Sequence, residues 1–298
     1  MEGGPSQAVS YIEWLRQSKG QPTFRTMLEA DLRTAIQAAI QGNLATIGNG
    51  AAAARVYHVP YRPFRKYPKH TGCLICGAPL EYLDTDEIME CDVCHKKENS
   101  KTRCVNGHYV CNACHTEGMD SFIGLCLGTA SKNPIEIMNS MMAQPFCHMH
   151  GPEHHVMVGA ALLTAYKNAG GDIDLHQSLI EMTSRGKSVP GGACGFWGAC
   201  GAGISAGMFV PIISKSTPLT VEPFGLSNLM TSKALERIGT IGGPRCCKRD
   251  SFLSILAAID FVQEHFGIEM ERHEIICDYA AQNNQCGIRC PFSKANHR

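Results

Sequence analysis

The sequence lacks the features that would commit it to a membrane or to a polyanion. None of its 298 positions falls in an apolar run of about eighteen residues, so no spanning helix is expected. The opening residues, MEGGPSQAVSYIEWLRQSKG, contain no apolar signal core and carry charge early, which points to a cytoplasmic location. There is no excess of charge: 27 Lys and Arg balance 27 Asp and Glu, which excludes a whole-molecule pull toward nucleic acid or anionic lipid. Charged residues make up 18 % of the chain and hydrophobic residues 44 %, values that argue against gross disorder. No internal repeat is evident.

One local absence is informative. Between Leu32 and Leu80 there is no Asp or Glu, while six Arg and Lys remain. Residues 55–70 (RVYHVPYRPFRKYPKH) hold three prolines and no apolar period, the mark of an extended linker. Tyr57, Tyr61, Phe64 and Tyr67 alternate there with Arg62, Arg65, Lys66 and Lys69. Stacking rings beside cations could grip single-stranded nucleic acid, or the segment could drape over its own protein. Residues 1–54 are Ala-rich and read as a helical N-terminal extension.

Against this background, 16 cysteines stand out. In a reducing compartment, cysteines in C-x-x-C pairs are metal ligands or redox thiols rather than disulfides. Cys73-x2-Cys76 is followed after fourteen residues by Cys91-x2-Cys94, and nine residues later by Cys104-x3-His108-x2-Cys111-x2-Cys114. Two C-x-x-C knuckles complete a tetrahedral thiolate site, which suits zinc. Taken in order, the first four cysteines form a zinc-ribbon-like site, and Cys104, His108, Cys111 and Cys114 a Cys3His site. A cross-braced pairing, first pair with third and second with fourth, uses the same eight ligands. His95 and His115 are spare candidates. A module over 71–118 is too small to bury much core, so metal supplies most of its folding free energy, roughly 10 kcal/mol or more per structural zinc.

Residues 119–298 read as a helical, Cys/His-rich domain, so the expected fold is mainly α with a small zinc-ribbon or treble-clef-like β module. Helices are expected from Asn133-Pro134 to Met142, from Gly151-Pro152 to before Gly170, over Asp174–Arg185, Gly195–Ser214 and Ser227–Gly239, and from an Asp250 or Ser251 cap to before Gly267. The run EMERHEIICDY reads as a strand. Cys126 and Cys277 sit in apolar runs and read as core.

Four clusters in this half carry candidate chemistry. CHMHGPEHH, 147–155, places Cys147, His148, His150, His154 and His155 around a helix start, where neutral imidazole is favoured; His150 and His154 are candidates for proton transfer. Seven glycines fall among the seventeen residues from Gly191 to Gly207, together with Cys194 and Cys200. Glycine costs about 1 kcal/mol relative to Ala inside a helix, so close backbone approach to a neighbouring helix or a cofactor is expected around Gly191 and Gly192. GGPRCCKRD places Cys246 and Cys247 among three cations before a helix, which would lower their thiol pKa and suit catalysis. Cys286-x3-Cys290-Pro291 is similar to iron–sulfur ligand runs, and Cys194, Cys200, Cys286 and Cys290 are the cofactor candidates for such a cluster.

The segments CLICG (73–77), RCVNGHYVCNACH (103–115), CHMHGPEHH, PGGACGFWGACGA (190–202) and GGPRCCKRDSF (242–252) together resemble the DUF5714 family of cysteine-rich domains from anaerobic bacteria and archaea, over about Cys73 to Phe292. Cys200-Gly201-Ala202 is also similar to the motif of the C-GCAxxG-C-C redox proteins, with Ser205 at its last glycine position. In relatives the DUF5714 domain is sometimes joined to a methyltransferase-like domain; residues 1–70 lack a G-x-G-x-G signature for one. The expected function is therefore a metal-binding protein with two zinc ions and an iron–sulfur or thiolate-bound metal. It would act as a redox or sulfur-transfer enzyme on a small-molecule or protein substrate. The alternatives are a zinc-knuckle module that binds nucleic acid through 55–70 or binds protein, and a metallochaperone or metal sensor.

Overall fold

Capping signals set several of the element boundaries. The structure is a computed structural model that describes residues 72–287 and 289–293. The expected N-terminal extension and basic–aromatic linker lie outside the described residues. A β-hairpin comes first, β1 (Leu80–Glu90) antiparallel to β2 (Lys97–Cys104), pairing Leu80 with Cys104 and Glu90 with Lys97 around an irregularity between Tyr82 and Glu87. Short helix α1 (Asn112–His115) follows. The helical part comprises α2 (Phe122–Gly128), α3 (Pro134–Met142), α4 (His154–Asn168), α5 (Leu175–Lys187), the one-turn α6 (Ala193–Phe196), α7 (Gly201–Ser214), α8 (Glu222–Ile241) and α9 (Cys247–Phe266). The expected class holds: mostly helical, with a small hairpin carrying cysteine groups.

Asn133 starts α3 by accepting the Ile135 amide at 2.9 Å, with Pro134 in the first turn. Asp174 caps α5 by accepting the Gln177 amide at 3.0 Å. Helix α4 is the centre of the domain. Its residues from His154 to Tyr166 are all buried, and it packs against α2, α3, α5, α7 and α9. A helix covered on every side needs no polar stripe. Helix α7 crosses both α4 and α8. At Gly203 and Gly207, one helical turn apart, an added Cβ would strike Leu235 and Thr231 of α8. Close crossing therefore explains the inner part of the glycine-rich stretch.

Three boundaries differ from expectation. The fourth helix is split: Gly198 takes a left-handed turn (φ 66°) after α6, and extended Cys200 caps α7. Helix α8 begins earlier and ends later than expected, with Pro223 in its first turn and Gly242 (φ 77°) stopping it. Helix α9 starts at Cys247 behind an extended Cys246, a turn earlier than an Asp250 cap, because Lys248, Arg249 and Asp250 are buried helical residues. The run 269–279 forms no strand; Glu271 bonds Lys132 and only Cys277 makes a bridge, to Ser293. Alternating residues cannot become a strand without a neighbouring strand to pair with.

Candidate metal centres and cavity

The hairpin module gathers its eight ligands into two groups. Cys73, Cys76, Cys104 and His108 form one, and Cys91, Cys94, Cys111 and Cys114 the other, with the ligand atoms of each group within 4.8 Å of one another. Of the two pairings that the spacing allows, the structure has the cross-braced one. Hairpin register is the reason: pairing Leu80 with Cys104 brings the end of β2 back beside the first knuckle. Sulfur separations of 3.5 Å (Cys76–Cys104) and 3.7 Å (Cys94–Cys111) match the edge of a thiolate tetrahedron, about 3.8 Å for a zinc–sulfur bond of about 2.3 Å.

Backbone geometry supports these groups. The amides of Ile75, Asn106 and Cys111 each lie 3.3 Å from a ligand sulfur, those of Cys73, Cys104 and Cys91 respectively. Gly77 (φ 74°) closes the first knuckle, and His95 (φ 61°) occupies the same turn in the second. His95 is turned outward to Glu90 at 3.2 Å, so it is no ligand. The Ala78 amide is the main influence holding the Cys76 thiol down at about 6. Burial opposes ionisation of Cys91, but amide donors led by Cys111 bring it to about 6. Burial dominates at Cys73, pushed up to about 11.

The Cys111–Cys114 knuckle also delivers His115 to the helical domain. His115 Nδ1 lies 3.4 Å from Glu153 Oε2, and His148 Nδ1 lies 3.5 Å from Glu153 Oε1. The two imidazoles meet edge to face with centroids 4.6 Å apart. Glu153 is fully buried, and its Oε2 has no hydrogen-bond donor, nor has His115 Nδ1 an acceptor. Its Oε1 accepts the His148 amide at 2.8 Å. Burial favours the neutral acid, but the His115 and His148 contacts outweigh it and hold Glu153 well below the usual carboxylate range.

Beside this group, Cys147, Glu153 and His154 form another that shares the carboxylate. Lys248 of α9, fully buried, places Nζ 2.8 Å from Cys147 Sγ and 2.8 Å from the His148 carbonyl, over the Tyr279 ring at 4.9 Å. The Cys147 sulfur, the His148 carbonyl and the Tyr279 ring face together take the place of water around the buried Lys248 Nζ. Burial, reinforced by Lys248, keeps His154 neutral.

A cavity of about 480 Å³ opens in front of His115. The hairpin face, the α1 knuckle, the 150–155 turn and the Gly191–Trp197 loop wall it, with Arg245 and Cys247. Tyr82 and Phe196 meet edge to face across it, and Arg245 lies 5.6 Å from the Tyr82 ring. Neither nitrogen of His150 has a hydrogen bond of ordinary length, and burial lowers that imidazole to about 4. Gly191 lets the loop approach the knuckle, since a Cβ there would sit 3.1 Å from Asn112 Oδ1.

Most of the sequence-predicted residues line one of two cavities, and His154 and Cys200 line neither. His150, Gly191, Gly192, Cys194 and Cys247 line the large one. His154 lies behind it with Cys147. Cys200 is turned to Asp250, 3.8 Å away. Cys246, Cys286 and Cys290 line a separate, smaller cavity. The four cysteines expected to share one cofactor, Cys194, Cys200, Cys286 and Cys290, are therefore not together. The expected low thiol pKa at 246–247 is also corrected: burial pushes Cys246 up to about 11 and Cys247 well above its ordinary value. The nearby cations are engaged elsewhere, Arg249 with Asp250 at 2.8 Å and Lys248 with Cys147. Glu153, Lys248 and the inward role of His115 were not read from the sequence. The one available signal was a carboxylate set among four histidines in HGPEHH and the preceding CHM.

Fold and site define a cysteine-rich helical protein with two four-residue side-chain groups spaced for metal binding. The chain belongs to DUF5714, a family of unknown function, whose profile matches residues 122–293, more than half of the 298. The match covers the helical domain and leaves the hairpin module outside it, a narrower extent than the resemblance implied. No curated protein and no solved structure matched the chain. Among the described residues no helix is long and apolar enough to cross a membrane.

Proposed function

We propose that this protein is a metal-dependent enzyme acting on a small molecule held in the large cavity. Two zinc ions serve as scaffold, and a third ion sits on His115, His148 and Glu153. The observation that carries the reading is the convergence of Glu153 on the two imidazoles. Separations of 3.4 and 3.5 Å are the edges of a tetrahedron with metal bonds of about 2.0–2.1 Å, which span about 3.3–3.4 Å. The buried Oε2 and His115 Nδ1 lie at contact distance without a hydrogen bond, an arrangement that a shared cation would stabilise. Three protein ligands leave a coordination position for substrate or water.

The scaffold explains the architecture. His115 directly follows Cys114, so the second zinc group fixes the position of a ligand for the third ion. Cys194 and Cys247 on the cavity wall make thiol redox or sulfur transfer the reaction class to test first. Metal analysis of the full chain, purified without oxygen, tests the reading. Relative to wild type, Glu153→Gln and His148→Gln should each lose one metal equivalent and keep both zinc ions. Unchanged stoichiometry in both variants would sink the third site.

A further inference from the structure

The smaller cavity brings together four thiols that the sequence distributes over 45 positions. Cys246 precedes α9, Cys277 is bridged to Ser293, and Cys286 and Cys290 lie in the last described turns. Their backbone is tied tightly. The Cys277 amide donates to the Phe292 carbonyl at 2.7 Å, the Cys286 amide to Asn283 at 2.9 Å, and the Cys290 amide to Gly287 at 3.1 Å. Cys277 and Cys290 are buried; Cys286 is exposed at the mouth.

We propose that Cys246, Cys277, Cys286 and Cys290 are the four ligands of an iron–sulfur cluster. This site is separate from the histidine–glutamate centre and goes beyond that reading. Spacing is the first argument. The two hairpin groups hold their sulfurs within 4.8 Å of one another, as one ion requires, whereas these four do not form such a group. A cluster places its cysteines on different irons, so its ligands stand farther apart around a common centre. The thiols are nevertheless in mutual electrostatic reach, Cys277 with Cys290 and Cys286, and Cys246 with Cys277.

The second argument is the supply of donors to sulfur. The Tyr279 amide lies 3.4 Å from Cys277 Sγ, and Asn283 Nδ2 lies 3.6 Å from Cys246 Sγ. The Arg249 amide faces Cys246, and the Phe292 and Ser293 amides face Cys290. Such N–H···S bonds stabilise the charge of a thiolate-bound cluster and set its potential. Phe252 and Phe292, edge to face at 5.6 Å, add an apolar side. The third argument is position. Met149 and Cys246 line this cavity, while their sequence neighbours His150 and Cys247 line the large one. The cluster would stand one residue from the substrate cavity.

The test is anaerobic reconstitution of the full chain with ferrous iron and sulfide, then iron and acid-labile sulfide analysis and electron paramagnetic resonance after dithionite reduction. Wild type is expected to bind iron and sulfide in equal amounts and to show a paramagnetic signal. Cys277→Ala should lose both, and Cys286→Ala, at an exposed position that leaves the fold undisturbed, should lose both or show an altered signal. Cys194→Ala, Cys200→Ala and Glu153→Gln should keep the cluster, so that failure here and failure of the histidine–glutamate centre are distinguishable. A wild-type chain that takes up no sulfide and holds only zinc at these cysteines overturns the proposal. So does a cluster lost with Cys194 and Cys200 but kept without Cys277 and Cys286.

Discussion

Cross-bracing makes a prediction about pairs of substitutions that no single substitution makes. Cys76 and Cys104 belong to one group, although 28 residues apart, while Cys76 and Cys91 belong to different groups. A structural zinc contributes about 10–16 kcal/mol of apparent binding free energy. Spread over four ligands, one thiolate accounts for roughly 3 kcal/mol, or about two decades of affinity. Against a chelator chosen to leave wild type loaded, Cys76→Ala and Cys104→Ala should each release one zinc equivalent. The double variant Cys76→Ala/Cys104→Ala should also release only one, and Cys76→Ala/Cys91→Ala should release two. Chromophoric chelator titration reads these equivalents directly. The opposite pattern, two equivalents from the first pair and one from the second, would establish the sequential arrangement and refute the cross-brace.

Other consequences are equally specific. Gly207→Val should destabilise the domain by about 1–3 kcal/mol through overpacking against Thr231, whereas Gly225→Ala, where an added Cβ meets nothing within 4 Å on exposed α8, should stabilise it by up to about 1 kcal/mol; thermal melts of both decide. Cys147→Ala removes the sulfur partner of buried Lys248 and should cost about 3–5 kcal/mol, most of it recovered in Cys147→Ala/Lys248→Met; an unrecovered double variant would show that the pair carries no charge. Asp260 joins Arg237 of α8, at 2.6 Å, to Arg272. Burial opposes its ionisation, but the two guanidinium groups outweigh it and lower its carboxyl below the ordinary value. Its contribution is therefore present above about pH 4 and lost as pH falls through the lower, folded value. Asp260→Asn should reduce stability at neutral pH by no more than about 1 kcal/mol, since the pair is half exposed, and should shrink that acid-side loss.

Local chemistry was legible where one residue type has one strong use. Asn133 and Asp174 stand where the sequence marked helix starts and cap those helices, and Gly77 takes the left-handed knuckle turn. Cys126 is in the core, as its apolar neighbours implied. The misreadings come from residues with two uses. Asp250 looks like a cap, but it is buried inside α9 against Arg249. Cys277 is buried as expected, yet it also belongs to a wall of four thiols.

By itself, the sequence determined the eight candidate ligands of the hairpin module, because C-x-x-C and C-x3-H spacings are local and survive any tertiary arrangement. It also determined the helical character of the rest, through caps, prolines and glycine stops. Only the tertiary structure decided which knuckles share a group, because both pairings satisfy the same spacing and the hairpin register chooses between them. It alone put Cys194 and Cys247 on one cavity and Cys246, Cys277, Cys286 and Cys290 on another, and it placed His115 beside Glu153. Those contacts join residues that lie far apart in the chain, and they form only when α4, α9 and the Cys111–Cys114 knuckle pack together.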